Sequence, residues 1–378
     1  MIRGDYYDAE HEAYRQAWRG FAERAVQPRQ ADWESAGIVD RDIWRLAGKQ
    51  NLLCPWADPE FGGLGRTDLR YEQIAIEELA RVAESGFAVP LHSGIVAPYL
   101  AAFGSAAQKQ RYLTGAVDGE RVLALAITEP GTGSDVAGIR TRAVADGEDW
   151  VLNGAKTFIS NGINADTVVV AARTGEGHQL GLFLVHSGAP GFARGRKLDK
   201  LGLRTQDTAE LFFDDVRVPR ADVLGDPEQG FGMLMGQFAL ERLIVAMCAV
   251  AGAEAALQET VRYTRERSAF GRSVSRFQDT RFRLAAMRAE ITGVQAFVDR
   301  CVLAYNDDRL TADEAAQAKL VATEVQGRVV DDCLQMFGGY GFMWEYPICR
   351  MFADARVQRI YGGTSEIMKE IIGRSMDL

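Results

Sequence analysis

VLALAI (122–127), WVL (150–152), TFI (157–159), TVVVA (167–171), LGLFLV (180–185) and ELFFDDVRV (210–218) are short strand-forming runs with no helical pattern between one and the next. Turn-forming pairs punctuate them: Asp146-Gly147, Asn153-Gly154, Asn161-Gly162 and Pro190-Gly191. Strands in series without intervening helices argue for an antiparallel sandwich or barrel and against a doubly wound nucleotide-binding fold.

Helical periodicity flanks this zone on both sides. Upstream, Tyr71, Ile74, Ile76, Leu79 and Val82 approximate one apolar face with Glu72, Glu77 and Glu78 between them. Pro28, Pro59, Pro90 and Pro98 interrupt the pattern, and FGGLG (61–65) is a loop. Downstream, 231–267, 276–305 and 311–337 predict three long helices, which pack most readily against one another as a bundle. At 378 residues the chain exceeds one ordinary core. The expected layout is α+β and mostly α: an N-terminal helical domain over 1–120, a central antiparallel, β-barrel-like domain over 121–227, and a C-terminal four-helix bundle over 228–378.

Composition narrows the function. Hydrophobic residues at 47% and charged residues at 25% are the balance of a soluble globular protein. A net charge of −9 without a Lys/Arg run disfavours nucleic acid. Cys54, Cys248, Cys301, Cys333 and Cys349 are scattered, and His11, His92, His178 and His186 lack ligand spacing, so neither a disulfide framework nor a metal site is expected. The opening MIRGDYYDAEHEAYRQAW has mixed charge and no apolar signal region. The longest apolar stretch, Leu243 to Ala253, is too short to span a bilayer. These readings predict a soluble, cytoplasmic protein without membrane insertion.

Four segments carry chemistry. In 231–258 the only charges are Glu241, Arg242 and Glu254, and Glu241 has Gln237, Phe238, Ile244 and Val245 on its own face. A carboxylate placed there loses hydration, its pKa rises, and it becomes suited to general-base work near neutrality. The same residues also accommodate a structural Glu241–Arg242 ion pair. TEPGTGSD (128–135) ends an apolar strand with small residues that let a ligand approach the backbone, although a plain tight turn reads equally well. It is neither a dinucleotide fingerprint nor a P-loop. QMFGGYG (335–341) and IYGGTSE (360–366) flank helix ends, where Gly339 could be a helix stop and Thr364 or Ser365 an N-cap.

With these segments in view, the chain resembles the acyl-CoA dehydrogenase family from Glu10 to Arg374, closest to its long-chain branch. TEPGTGSDVAG (128–138), LNGAKTFISNG (152–162), RERSAFGR (265–272) with Phe277-Gln278, QMFGGYGF (335–342) and IYGGTSEIMKE (360–370) carry the family likeness. LHSGIVAPYL (91–100), GRKLDKLGLRTQDTAELFFDDVRVP (195–219), MWEYPI (343–348) and DARVQRIYGGTSEIMKE (354–370) carry the branch likeness. The resemblance implies FAD-dependent conversion of an acyl-CoA to its trans-2-enoyl thioester. It also implies electrons passed to an electron-transfer flavoprotein, and a homo-oligomer that is either a dimer or a tetramer built as a dimer of dimers.

One departure bears on the base. Many family members carry a catalytic Glu where this chain has Gly362, which has no side chain to take a proton. The long-chain and isovaleryl branches place the base in a Glu-Arg-Leu motif, which is Glu241-Arg242-Leu243 here. The resemblance therefore implies Glu241 as base and the Gly362 N–H as donor to the thioester oxygen. It further implies that Leu125, Ile127 and Thr128 line the flavin, that Gly133 and Ser134 hold its pyrophosphate side, and that Phe158, Ile159 and Ser160 flank its ring. Trp and Thr are commoner in the family at 158 and 160. Arg267, Phe270, Phe277 and Gln278, with Gln335, Gly338 and Gly339, are implied to grip the adenosine-diphosphate half across a subunit interface. Thr364 and Glu366 complete that grip, although Glu366 replaces the Gln of some branches. Ser134, Phe238, Leu240, Arg242, Tyr361 and Gly363 are the implied substrate-side positions. Competing expectations on the same fold are a flavin monooxygenase, a carrier-protein thioester dehydrogenase and a non-catalytic assembly protein. The acyl group is expected to be long or branched.

Overall fold

Asp8 starts the first helix by accepting the N–H groups of Glu10 and His11, the standard remedy for orphaned donors at a helix start. The computed structural model describes residues 4–176 and 179–377; His178 lies outside them. Helix α1 (Ala9–Phe21) and α2 (Arg41–Gly48, capped by Asp40) bury Trp18, Phe21, Ile43 and Trp44 in an N-terminal core. Helix α3 (Arg70–Arg81) contributes Tyr71, Ile74 and Leu79 to that core and Ile76 to the next one. The acids set between the apolar positions of α3 do not all face solvent: Glu72 and Glu78 are both 2% exposed, because α3 is sandwiched between the two cores. Glu78 is held by Arg15, Arg19 and Arg81, whereas neither oxygen of Glu72 has a partner among the described residues. Helix α4 (Ala97–Phe103) leads towards the sheet.

Among the described residues eight strands form the central sheet: β1 (Leu123–Ala126), β2 (Arg142–Asp146), β3 (Asp149–Ser160), β4 (Thr167–Arg173), β5 (Leu180–His186), β6 (Phe192–Lys197), β7 (Thr208–Val218) and β8 (Val223–Leu224). The order is β6-β7-β3-β2-β4-β5-β8, with β1 added on β4. Two sequence expectations need correction. The sheet is not wholly antiparallel, since β1 runs parallel to β4 from Leu123↔Thr167 to Ala126↔Val170. Asn153-Gly154 is not a turn but an irregularity within one continuous strand, β3. Asn153 and Asp215 exchange two hydrogen bonds of 2.9 Å across β3 and β7, and Gly154 presses against Thr141, where a Cβ would meet the Thr141 hydroxyl at 2.6 Å.

The C-terminal bundle consists of α5 (Gly230–Glu266), α6 (Gln278–Asn306) and α7 (Ala312–Phe337), followed by α8 (Pro347–Ala355) and α9 (Ser365–Ser375). Thr311 and Glu314 form a capping box that starts α7. Helix α5 is the bundle's spine, with Leu243, Ala246, Met247, Val250 and Leu257 in the core shared with α3, α6 and α7. This 37-residue helix is long and apolar enough to cross a membrane, which the shorter stretch Leu243 to Ala253 did not suggest. Its apolar window is 56% buried inside the protein, which accounts for its hydrophobicity as that of a core helix.

Candidate active site

Glu241 sits on the part of α5 that faces α4. It is partly exposed, yet the surrounding protein strips enough hydration to push its pKa up to about 7. The Tyr99 hydroxyl donates to its Oε1 at 2.7 Å and, with Arg242, opposes that rise. Tyr99 itself is fully buried. The structural alternative, a Glu241–Arg242 ion pair, is not formed among the described residues. The Arg242 guanidinium lies 5.6 Å over the Phe238 ring instead, and its Nε is buried without a partner among the described residues. Phe238 packs against the same apolar cluster as Leu125 and Ile127, whereas Leu240 is turned into the bundle core.

The loop before α9 reaches this helix from the other end of the chain. Gly362 (φ +60°) and Gly363 (φ +93°) adopt the left-handed conformations that glycine permits. A Cβ on Gly362 would lie 3.6 Å from Val245, one turn beyond Glu241. The folding of residues 230–266 and 360–364 thus sets Gly362 beside Val245, on the helix that carries Glu241 and Arg242. Among the described residues the Gly362 N–H has no hydrogen-bond partner. Lys319, 1% exposed on α7, donates to the Tyr361 carbonyl at 2.6 Å and to the Gly363 carbonyl. The Tyr361 hydroxyl donates to Gln358, and Thr364 caps α9 by accepting the Ile367 N–H. Glu366 is exposed on the first turn of that helix.

A second cluster lies where β1 ends. Glu129 shapes the 128–135 loop from beneath: it accepts the backbone N–H groups of Arg140 and Thr141 and pairs with Lys156 at 2.9 Å. Lys156, fully buried, also donates to the Ile127 carbonyl at 2.8 Å, and the Thr157 N–H donates to the Thr128 carbonyl at 2.9 Å. Each of these carbonyls thus already accepts one internal hydrogen bond, which fixes the backbone at the end of β1. Gly133 and Ser134 are exposed, and a Cβ on Gly131 or Gly133 would meet nothing within 4 Å. On the adjacent strand Phe158 is 68% exposed at φ +59°, an outlier for an aromatic residue, beside a register shift in the β3–β7 pairing. Ser160 is partly open, but the Ile159 side chain is 2% exposed in the sheet core and faces away from both.

The third cluster is an arm, residues 267–278, that links α5 to α6. Arg267 ends α5 with its guanidinium 5.5 Å from the Tyr340 ring, which places it beside the end of α7. Phe270 tips a hairpin of β9 (Ser268–Ala269) and β10 (Arg272–Ser273), 95% exposed, with Phe277 edge-on at 6.2 Å. Gln278, Gln335, Gly338 and Gly339 are exposed, and both glycines face open space. The residue with positive φ at the end of α7 is Gly338, not Gly339. No hydrogen bond, ion pair or ring contact joins the arm to the 128–135 loop among the described residues. Backbone open to close approach, with exposed aromatics beside it at both places, fits the pyrophosphate and flat rings of a dinucleotide flavin.

Tyr99, Lys156 and Lys319 were not read from sequence. Each has a faint signal: a polar residue on an otherwise apolar strand or helix face, such as Lys319 four residues after Ala315 and among Ala318 and Ala322.

Family models for the acyl-CoA dehydrogenase N-terminal, middle and C-terminal domains match residues 8–120, 124–216 and 228–376. The mitochondrial long-chain specific acyl-CoA dehydrogenase of Sus scrofa is 45% identical over 375 residues, 98% of this chain and 87% of that protein. The crystal structure of an acyl-CoA dehydrogenase from Geobacillus kaustophilus superposes with a TM-score of 0.96 at 44% identity, over 99% of this chain and 100% of that one. A glutaryl-CoA dehydrogenase from Mycobacterium smegmatis, solved in complex with FADH2, superposes with a TM-score of 0.92 at 27% identity, over 98% of this chain and 95% of that one. With three family models laid end to end along its helical, β and helical regions, the chain belongs to the acyl-CoA dehydrogenase family.

Proposed function

We propose that this protein is an FAD-dependent acyl-CoA dehydrogenase that desaturates a long-chain or branched acyl-CoA between Cα and Cβ, with Glu241 as the base. The observation that carries the reading is the pairing of an ionisable carboxyl poised near neutrality with an unpartnered backbone N–H on the facing loop. An α C–H of a thioester becomes removable only when charge developing on its carbonyl oxygen is stabilised. The Gly362 N–H supplies that donor, and Glu241 takes the α-proton. FAD, when bound, supplies the acceptor for the β-hydride. Gly133 and Ser134 would hold its pyrophosphate side, Phe158 would lie against its ring, and Arg267, Phe270 and Gln278 would reach a second subunit's cofactor. Similarity to the long-chain enzyme of Sus scrofa supports the substrate class. We assign the electrons to an electron-transfer flavoprotein and the protein to a soluble, cytoplasmic homo-oligomer.

The test is anaerobic mixing of the purified yellow protein with saturated acyl-CoAs of increasing chain length, with chromatography of the products. Bleaching of the visible flavin band, strongest with long or branched chains and accompanied by the trans-2-enoyl thioester, is expected. A flavin band unchanged by every thioester would overturn the reading.

A further inference from the structure

Lysine is almost never fully buried without a charged partner. Lys319 is 1% exposed and forms no ion pair among the described residues; its ammonium is spent on the carbonyls of Tyr361 and Gly363. These two carbonyls straddle Gly362. The carbonyl of Tyr361 and the N–H of Gly362 belong to the same peptide group, so a cation on that oxygen draws electron density from the amide and makes the N–H a stronger donor. The second bond holds the loop from the other side, across two glycines at φ +60° and +93°, a conformation that residues with a side chain rarely adopt. Burial, and after it the positive charge of Arg242, pull the Lys319 pKa down to about 8, which still leaves the ammonium the main form at pH 7.

We propose that Lys319 is a positioning residue for the dehydrogenation: its ammonium locks the Tyr361–Gly363 loop and polarises the Gly362 amide that receives the thioester oxygen. The inference rests on the assignment of Gly362 as that donor. A simple loop staple would affect folding alone. A polarising cation affects the bound carbonyl and the chemical step.

The experiment uses FAD-loaded Glu241→Gln protein, in which a saturated long-chain acyl-CoA labelled at its carbonyl carbon stays unreacted, and reads the carbonyl stretch by infrared difference spectroscopy. In Glu241→Gln alone the band is expected to move to lower frequency than in free ligand; no movement there would sink the Gly362 assignment itself. Adding Lys319→Met is expected to return most of that displacement, and adding Lys319→Arg, which keeps a charged donor, to preserve more of it than Met. With Glu241 intact, Lys319→Met is expected to lower kcat by about 10- to 100-fold with little change in KM, a weakened rather than deleted oxyanion donor. A displaced band that Lys319→Met leaves in place, with unchanged kcat, overturns the proposal while the Gly362 assignment stands. If Lys319→Met fails to retain FAD, Lys319→Gln, which keeps a neutral donor, decides by the same two outcomes.

Discussion

Replacing Tyr99 by Phe removes one hydroxyl from a fully buried ring and, with it, the 2.7 Å hydrogen bond to Glu241. That bond stabilises the ionised carboxylate, so its loss raises the Glu241 pKa. A hydrogen bond to a charged group contributes about 1.5–3 kcal/mol, which corresponds to roughly 1 to 2 pKa units. Starting from about 7, the carboxyl moves to roughly 8–9. A base must be deprotonated to act, so kcat/KM of the wild type rises with pH through about 7, and that of Tyr99→Phe rises only one to two units higher. At pH 7 the variant should be about 5- to 50-fold slower, with the deficit closing on the alkaline plateau. The assay is kcat/KM against pH, which reports the free enzyme and therefore the geometry described above. An acid limb that stays in place, or moves to lower pH, would refute the coupling of Tyr99 to the base.

Other perturbations bear on different parts of the account. Burial without a partner pushes the Glu72 carboxyl up to about 8, so its proton is released on unfolding between pH 4.5 and about 8. Because the folded pKa is the higher one, this residue costs nothing below pH 4.5 and about 3 kcal/mol at pH 7. Glu72→Gln should therefore melt higher than wild type at neutral pH, with a gap that narrows towards pH 5; parallel melting profiles would contradict this. Lys156→Met leaves Glu129 buried without its cation and should weaken FAD retention at least about 10-fold by loosening the 128–135 loop, measured by flavin fluorescence titration. Phe270→Ser, at an exposed hairpin tip, should leave melting of the monomer fold unchanged but reduce FAD content and the assembly mass by light scattering.

Much of the fold was legible because its signals are local. The long helices of the bundle agree with their periodicity to within a few residues, since each buries a continuous apolar face. The parallel β1–β4 pairing was not legible, because which strand neighbours which is settled by long-range packing. The Asn153-Gly154 pair signalled a turn, but the reciprocal bonds with Asp215 keep the strand continuous. At the site, Glu241 stood out as an isolated acid on an apolar helix. Tyr99 and Lys319 did not, because their importance depends on contacts 142 and 42 residues away in sequence. Ile159 shows the limit of reading motifs as units: its neighbours Phe158 and Ser160 open outward, while strand alternation turns its own side chain into the core.

The central claim is that Glu241 removes the proton. The most direct measurement is the anaerobic half-reaction of wild type and Glu241→Gln, both FAD-loaded, with the same long-chain acyl-CoA, following the visible flavin band in a stopped-flow instrument. The account predicts rapid bleaching in the wild type and an unbleached, substrate-bound flavin in the variant. Bleaching of Glu241→Gln at a comparable rate would place the base elsewhere and contradict it.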